Sequence, residues 1–118
     1  MNLTRRIRSR GRGSLGNQQL QAVADLFTVL SEPSRLRILQ ILQDRPASVG
    51  ELVERSGLKQ ANASKQLGIL QSAGVIDRQQ DGNRAIYSIA VPLVFDLCHL
   101  VCDSVAKQAA ERAAALKG

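Results

Sequence analysis

The chain has little from which to build a catalytic or metal centre. Among its 118 residues are one histidine, two cysteines and no tryptophan. It contains no phosphate-binding loop, no dinucleotide fingerprint and no paired acid–base set, which argues strongly against an enzyme. One tyrosine and two phenylalanines are the only aromatics, so a core must come from Leu, Ile, Val and Ala. No apolar run approaches the roughly 20 residues of a membrane span. The basic N-terminus is followed by no apolar stretch of the kind a secretory signal needs. These absences point to a cytoplasmic protein whose cysteines are expected to be reduced. Acidic residues are missing altogether before Asp25.

What is present is positive charge, unevenly spread. The net charge is +6. Arg5, Arg6, Arg8, Arg10 and Arg12 supply most of it, and the rest of the chain is almost balanced. Residues 1–16, rich in Arg, Gly and Ser, therefore read as a disordered basic arm. Two readings of the arm stand: a phosphate-binding extension that adds sequence-independent affinity, or a solvated tail. Residues 17–115 read as one folded domain, with 44% hydrophobic content across the chain and enough length for a modest core.

Within that domain the helix signals come in a definite order. Leu20, Val23, Ala24, Phe27 and Leu30 form a helical stripe. Ser31 is placed to cap the next helix and Pro33 suits its first turn. Leu36, Ile38, Leu39, Ile41 and Leu42 are apolar around much of that second helix, which predicts burial, and Arg45-Pro46 ends it. Ser48-Val49-Gly50-Glu51 is a capping box opening a short helix that stops near Gly57. A further helix is expected from about Gln60 to Ala73, with Ala63, Leu67 and Leu70 inward and Gly74 as its stop. Val75-Ile76 begins a strand, Asp81-Gly82-Asn83 is a hairpin tip, and Arg84 to Ile89 returns. Pro92 starts a long last helix through about Ala115. The fold is therefore mainly α with a small β-hairpin, in the order of a winged helix-turn-helix.

The polar side chains fall where a duplex would need them. Gln60, Asn62, Ser64, Lys65 and Gln66 are expected opposite the buried stripe of their helix. Asn and Gln can bond an adenine edge bidentately, and Lys or Arg can bond guanine or phosphate. Lys59, Ser64 and Lys65 are equally suited to backbone phosphates, which position without specifying. Around Gly82 the wing offers Arg78, Gln79, Gln80, Asn83 and Arg84, with arginine suited to a narrow minor groove. Any one such element reads as an ordinary solvated face. Helix, turn, helix and wing in sequence read as a double-stranded DNA-binding surface. The competing use of a winged helix, as a protein-interaction module, would not call for the Lys59/Lys65 and Arg78/Arg84 clusters.

Several segments carry a resemblance to the ArsR/SmtB family of winged-helix repressors: Leu30-Ser31-Glu32-Pro33-Ser34-Arg35-Leu36-Arg37-Ile38-Leu39, Ser48-Val49-Gly50-Glu51-Leu52, Ala63-Ser64-Lys65-Gln66-Leu67, Gly74-Val75-Ile76 and Gly82-Asn83-Arg84-Ala85-Ile86-Tyr87. It covers about residues 19–106. The resemblance implies a homodimer, joined through the first and last helices, on a short inverted-repeat operator, repressing until an inducer weakens binding. A two-fold protein also suits a palindromic site on physical grounds, since one headpiece reads few base pairs. Where the family usually has a serine N-cap, this chain has Lys59, which cannot cap but can reach a phosphate.

The family's familiar metal ligands are replaced here. Its arsenic and cadmium sensors carry Cys-Val-Cys where this chain has Ser48-Val49-Gly50. Its zinc and cobalt sensors use Asp, His and Glu at positions matching Val91, Leu93, Ser104 and Lys107. What remains is Cys98 and Cys102, one turn apart on the last helix and so on one face. Two uses stand open. The thiols can sense, by oxidation or by holding a soft metal or As(III) with two more from a dimer mate. Alternatively they pack in the seam as small hydrophobes, and the repressor answers to no metal or thiol inducer. His99 is expected at the surface, off their face, and Asp96 and Asp103 on a solvated face.

Overall fold

The computed structural model describes residues 15–117; the five arginines of the basic arm lie outside the described residues. Five helices and three strands follow one another: α1 (Asn17–Leu30), α2 (Pro33–Asp44), β1 (Ala47–Ser48), α3 (Val49–Ser56), α4 (Gln60–Ser72), β2 (Ile76–Asp81), β3 (Arg84–Ile89) and α5 (Pro92–Lys117). Among the described residues no helix is long and apolar enough to cross a membrane.

Local chemistry explains most boundaries. Ser48 Oγ accepts from the Glu51 N–H at 3.2 Å while Glu51 Oε1 accepts from the Ser48 N–H at 3.0 Å, closing the capping box of α3. Gly57 ends α3 at φ 77°, and Gly74 follows α4 at φ 75°, left-handed conformations that a side chain would strain. One cap differs from expectation. Pro33 occupies the first turn of α2, so the N-cap is Glu32, whose carboxylate accepts from the Arg35 N–H at 3.2 Å. Ser31 instead closes α1, donating its hydroxyl to Thr28 O at 2.7 Å.

The hairpin gains a strand that the sequence pattern did not announce. Ala47 and Ser48 pair antiparallel with Tyr87 and Ile86, giving the sheet order β1-β3-β2. Two residues carry no visible alternation, so β1 exists only because β3 supplies a partner. β2 and β3 pair from Ile76↔Ile89 to Asp81↔Arg84, leaving Gly82-Asn83 as a two-residue tip. Gly82 has φ 63°, the glycine-first pattern favoured in tight hairpins.

The core gathers Ile38, Leu39, Ile41 and Leu42 of α2 with Leu52 of α3, Leu67 and Leu70 of α4, Val75, Ile76, Tyr87 and Val94. Burying one such aliphatic side chain stabilises by about 1.5–3 kcal/mol. Burial stops short at three places, the first of them in the helix that was expected to be buried. Leu36 of α2 remains 39% exposed. Leu20, Val23 and Phe27 of α1 face outward, with Leu30 the buried residue of that stripe. On α5, Val94 and Cys98 are buried, whereas Leu100, Val101 and Val105 are exposed. The reason is common to all three: α5 packs on α2 and β3 and α1 touches α2, and among the described residues no further element covers their remaining faces.

Candidate nucleic-acid interface

α4 presents its polar residues unequally. Ala63, Gln66, Leu67 and Leu70 are buried, a spacing of i, i+3, i+4 and i+7. Lys59, Gln60, Ser64 and Lys65 are exposed, and Asn62 is half-buried. Lys59 stands at the N-cap with extended backbone and makes no side-chain cap, as its lack of an acceptor requires.

Gln66 is the correction to the polar face. It is 7% exposed, and both ends of its amide are engaged inside the protein. Its Oε1 accepts from Arg35 Nη1 at 2.9 Å and its Nε2 donates to Asn62 Oδ1 at 2.9 Å. The physical reason is register: position 66 falls on the same stripe as 63, 67 and 70, and a buried amide must find partners. Arg35, which sequence reasoning left without a role, donates also to Val29 O at 2.6 Å and Thr28 O at 3.4 Å. One guanidinium thus ties the end of α1 to α4. The available signal was that register, with position 66 on the stripe of 63, 67 and 70.

At the wing, Arg78, Gln79, Gln80, Asn83 and Arg84 are all exposed. Arg78 Nη2 donates to Gln80 Oε1 at 3.4 Å, and Gln80 Nε2 to Gly82 O at 3.0 Å. Arg84 Nη2 lies 3.5 Å from Glu51 Oε1, with 62% of the Arg84 side chain exposed. The N–H and hydroxyl of Ser48 hold the Glu51 carboxyl below its ordinary range, with the Arg84 and Arg45 charges acting in the same direction. The capping box of α3 and the base of the wing therefore share one carboxylate.

The two cysteines are free and unlike each other. Cys98 is buried and Cys102 exposed. Burial pushes the Cys98 thiol above its ordinary value, and Cys102 adds to the shift. Both line a cavity of about 390 Å³ walled by Phe27 and Leu30 of α1, Leu36 of α2, and Leu97 and Val101 of α5. His99 is exposed, its Nε2 3.3 Å from Asp103 Oδ2. Among the described residues of one protomer, no three of His, Cys, Asp and Glu gather closely enough to hold a metal ion.

Residues 30–79 match a family described as a helix-turn-helix domain. The chain is 42% identical over 95 residues to the HTH-type transcriptional regulator Rv0081 of Mycobacterium tuberculosis, covering 80% of this chain and 83% of that one. The crystal structure of Rv0081 superposes with a TM-score of 0.70 at 39% identity, over 82% of this chain and 99% of that one. The homodimeric winged helix-turn-helix domain of Mb0332 from Mycobacterium bovis, a possible ArsR-family regulator, gives a TM-score of 0.71 at 28% identity over 86% and 95%. The chain belongs to the ArsR/SmtB family of winged helix-turn-helix transcriptional regulators. The antimony-specific repressor AntR is similar too, with a TM-score of 0.74 at 26% identity over 82% of this chain and 88% of AntR.

ArsR/SmtB proteins are DNA-binding regulators rather than enzymes, in agreement with the missing catalytic sets. The positions at which the resemblance expects metal ligands are placed as follows. Ser48 caps α3 and pairs with Ile86. Val91 is half-buried, while Leu93, Ser104 and Lys107 lie exposed on α5.

Proposed function

We propose that the protein is a homodimeric repressor that holds an inverted-repeat operator through α4 and the wing, leaving residues 1–16 as an arm outside the 17–115 domain. The reading is carried by a division of the protomer's exposed surface. Polar and basic side chains occupy α4 and the wing, while α1 and α5 expose Leu20, Val23, Phe27, Leu100, Val101 and Val105. Contiguous apolar faces of this kind mark association rather than solvent contact. The homodimeric relative supports the same use of them.

In this reading Gln60, Asn62 and Ser64 face base edges, and Lys59, Lys65, Arg78, Asn83 and Arg84 hold phosphates or the minor groove. Gln66 supports from within. The arm of five arginines adds phosphate contacts that carry no sequence information. A gel-shift titration on the DNA upstream of the chain's own coding sequence tests these assignments. Lys65→Ala and Arg84→Ala should each weaken binding, and each lost phosphate contact should lower the salt slope by about 0.9. Unchanged affinity in both would remove the assignment.

Release of the operator is assigned to Cys102, the exposed thiol on the α1/α2/α5 seam. Cys98, buried with a raised pKa, is a poor thiolate and serves as packing. The antimony specificity of AntR supports a soft-ion signal in general terms; a site for As(III) or a soft metal would draw on thiolates from both protomers, each losing its proton on binding. Oxidant or As(III) should then release DNA from the wild type and from Cys98→Ser, but not from Cys102→Ser. The burial of Cys98 favours a second reading, a repressor with no thiol inducer, and indifference of the wild type to every such treatment would establish it.

A further inference from the structure

Arg35 stands where three helices meet. From the first turn of α2, its Nε donates to Val29 O at 2.6 Å and its Nη2 to Thr28 O at 3.4 Å. Both carbonyls belong to the last turn of α1, where the helix has no partners of its own to offer and the dipole is negative. The remaining branch, Nη1, donates to Gln66 Oε1 at 2.9 Å. Gln66 Nε2 donates on to Asn62 Oδ1, also at 2.9 Å, in the first turn of α4. Arg35 is half-buried and Gln66 buried, so water competes little for these bonds. A planar guanidinium holds its acceptors in a fixed fork, so the end of α1 cannot shift against α4 without losing one of them. The same turn of α1 walls the thiol cavity: Phe27, Leu30 and Ser31 line it together with Cys98 and Cys102. Cys102 also lines a second cavity, of about 240 Å³, with Pro33 and Leu36 from the turn of α2 that carries Arg35.

We propose that Arg35 and Gln66 are positioning residues that carry a change at Cys102 to α4 by way of the α1–α2 junction. The proposal rests on the readings argued above, release of the operator through Cys102 and use of α4 as the reading helix. A group carried on the Cys102 sulfur occupies the space between α5 and that junction, and bears on the turn of α1 whose carbonyls hold Arg35. Displacement of that turn draws the guanidinium away from Gln66 Oε1. A buried amide must be satisfied, so Gln66 turns to other partners, and Asn62, tied to it, loses its place in the first turn of α4. The bonded arrangement is the one the operator favours, and the modified thiol favours the other, which is what a coupling between two sites requires.

A mutant cycle on the full chain tests this. In Cys98→Ser, Cys102 is the one thiol left. N-ethylmaleimide is the probe: the Cys102 sulfur adds across its C=C bond, the thiol proton ends on the neighbouring carbon, and mass spectrometry confirms a single adduct. Affinity for the chain's own upstream DNA is measured by fluorescence anisotropy with and without the adduct, in Cys98→Ser and again with Arg35→Lys or Gln66→Met added. Lysine keeps the charge without the fork, and methionine keeps the length without the amide. The adduct should weaken binding by about tenfold or more where the link is intact, and by less than about threefold where it is cut. Arg35→Lys and Gln66→Met together should give the same ratio as either alone, because both cut one link. A merely structural role would weaken modified and unmodified protein alike and leave the ratio at its original size. Should Arg35→Lys fold poorly by circular dichroism, Gln66→Met carries the test. An undiminished ratio in the folded variants would overturn the proposal while leaving Cys102 as the site of release. An adduct without effect on the affinity of Cys98→Ser would remove release through Cys102, and the proposal with it.

Discussion

Glu51 shows how much one side chain can be asked to do. It closes the capping box of α3, accepts from Ser48 and sits beside Arg84 at the base of the wing. Its folded pKa lies below the ordinary 4.5, so its ionised form stabilises the fold. That contribution is fully present above about pH 4.5 and is lost as the pH falls through the folded value. Glu51→Gln preserves the reciprocal cap in a neutral form and has no charge to lose. Melting temperatures measured from about pH 7 down to about pH 3 should therefore fall more steeply for the wild type than for Glu51→Gln. Parallel profiles would contradict the shared role. The residue scale is also where the sequence was least legible. The capping box and the glycines at 57 and 74 could be read because each is a local motif. The engagement of Gln66 could not, because its partner Arg35 is 31 positions away and only the packing of α2 on α4 brings them together.

At the scale of the element, α4 begins without a side-chain cap. Lys59 has the extended N-cap backbone but no acceptor, so the first N–H groups of the helix are left to water. Lys59→Ser should add about 0.5–1 kcal/mol to stability, read as a rise of a few degrees in melting temperature. The same change removes a cation from the end of α4 proposed to face DNA, so affinity for duplex should fall. A variant that is more stable and binds no less tightly would show that Lys59 does not touch phosphate. The five helices and the wing were all legible from periodicity and turn chemistry, because each signal spans several residues. β1 was not, since two residues paired across the sheet have no pattern of their own. The assignment of the α2 cap to Ser31 failed for a related reason: Pro33 fixes the first turn, and the acceptor one residue later, Glu32, is the one in reach.

At the scale of the whole molecule, α1 and α5 leave apolar faces exposed. The apolar stripe of α1 was legible, and on α5 the shared face of Cys98 and Cys102, but sequence periodicity does not say whether a face meets its own core or another chain. Here Phe27 is 56% and Leu100 67% exposed, faces that the proposed dimer would cover. Phe27→Asp should shift the protein from dimer to monomer in light-scattering measurements at micromolar concentration, and weaken DNA binding with it, because a charge at a desolvated interface is costly. Retention of the dimer would place the interface elsewhere. The arm belongs to this scale as well. Removing residues 1–16 takes away five arginines, so affinity should fall on any duplex and the salt slope should flatten by up to about 4–5. An unaltered slope would leave the arm without a role in binding.

Two protomers of this chain are proposed to hold one specific duplex. The most direct test is a fluorescence anisotropy titration of the full chain against its own upstream DNA, with an excess of unrelated duplex as competitor and the salt concentration varied. The titration should saturate at two protomers per site, the complex should survive the competitor, and affinity should fall steeply with salt. Binding no tighter than to the competitor, or saturation at one protomer per site, would contradict the proposal.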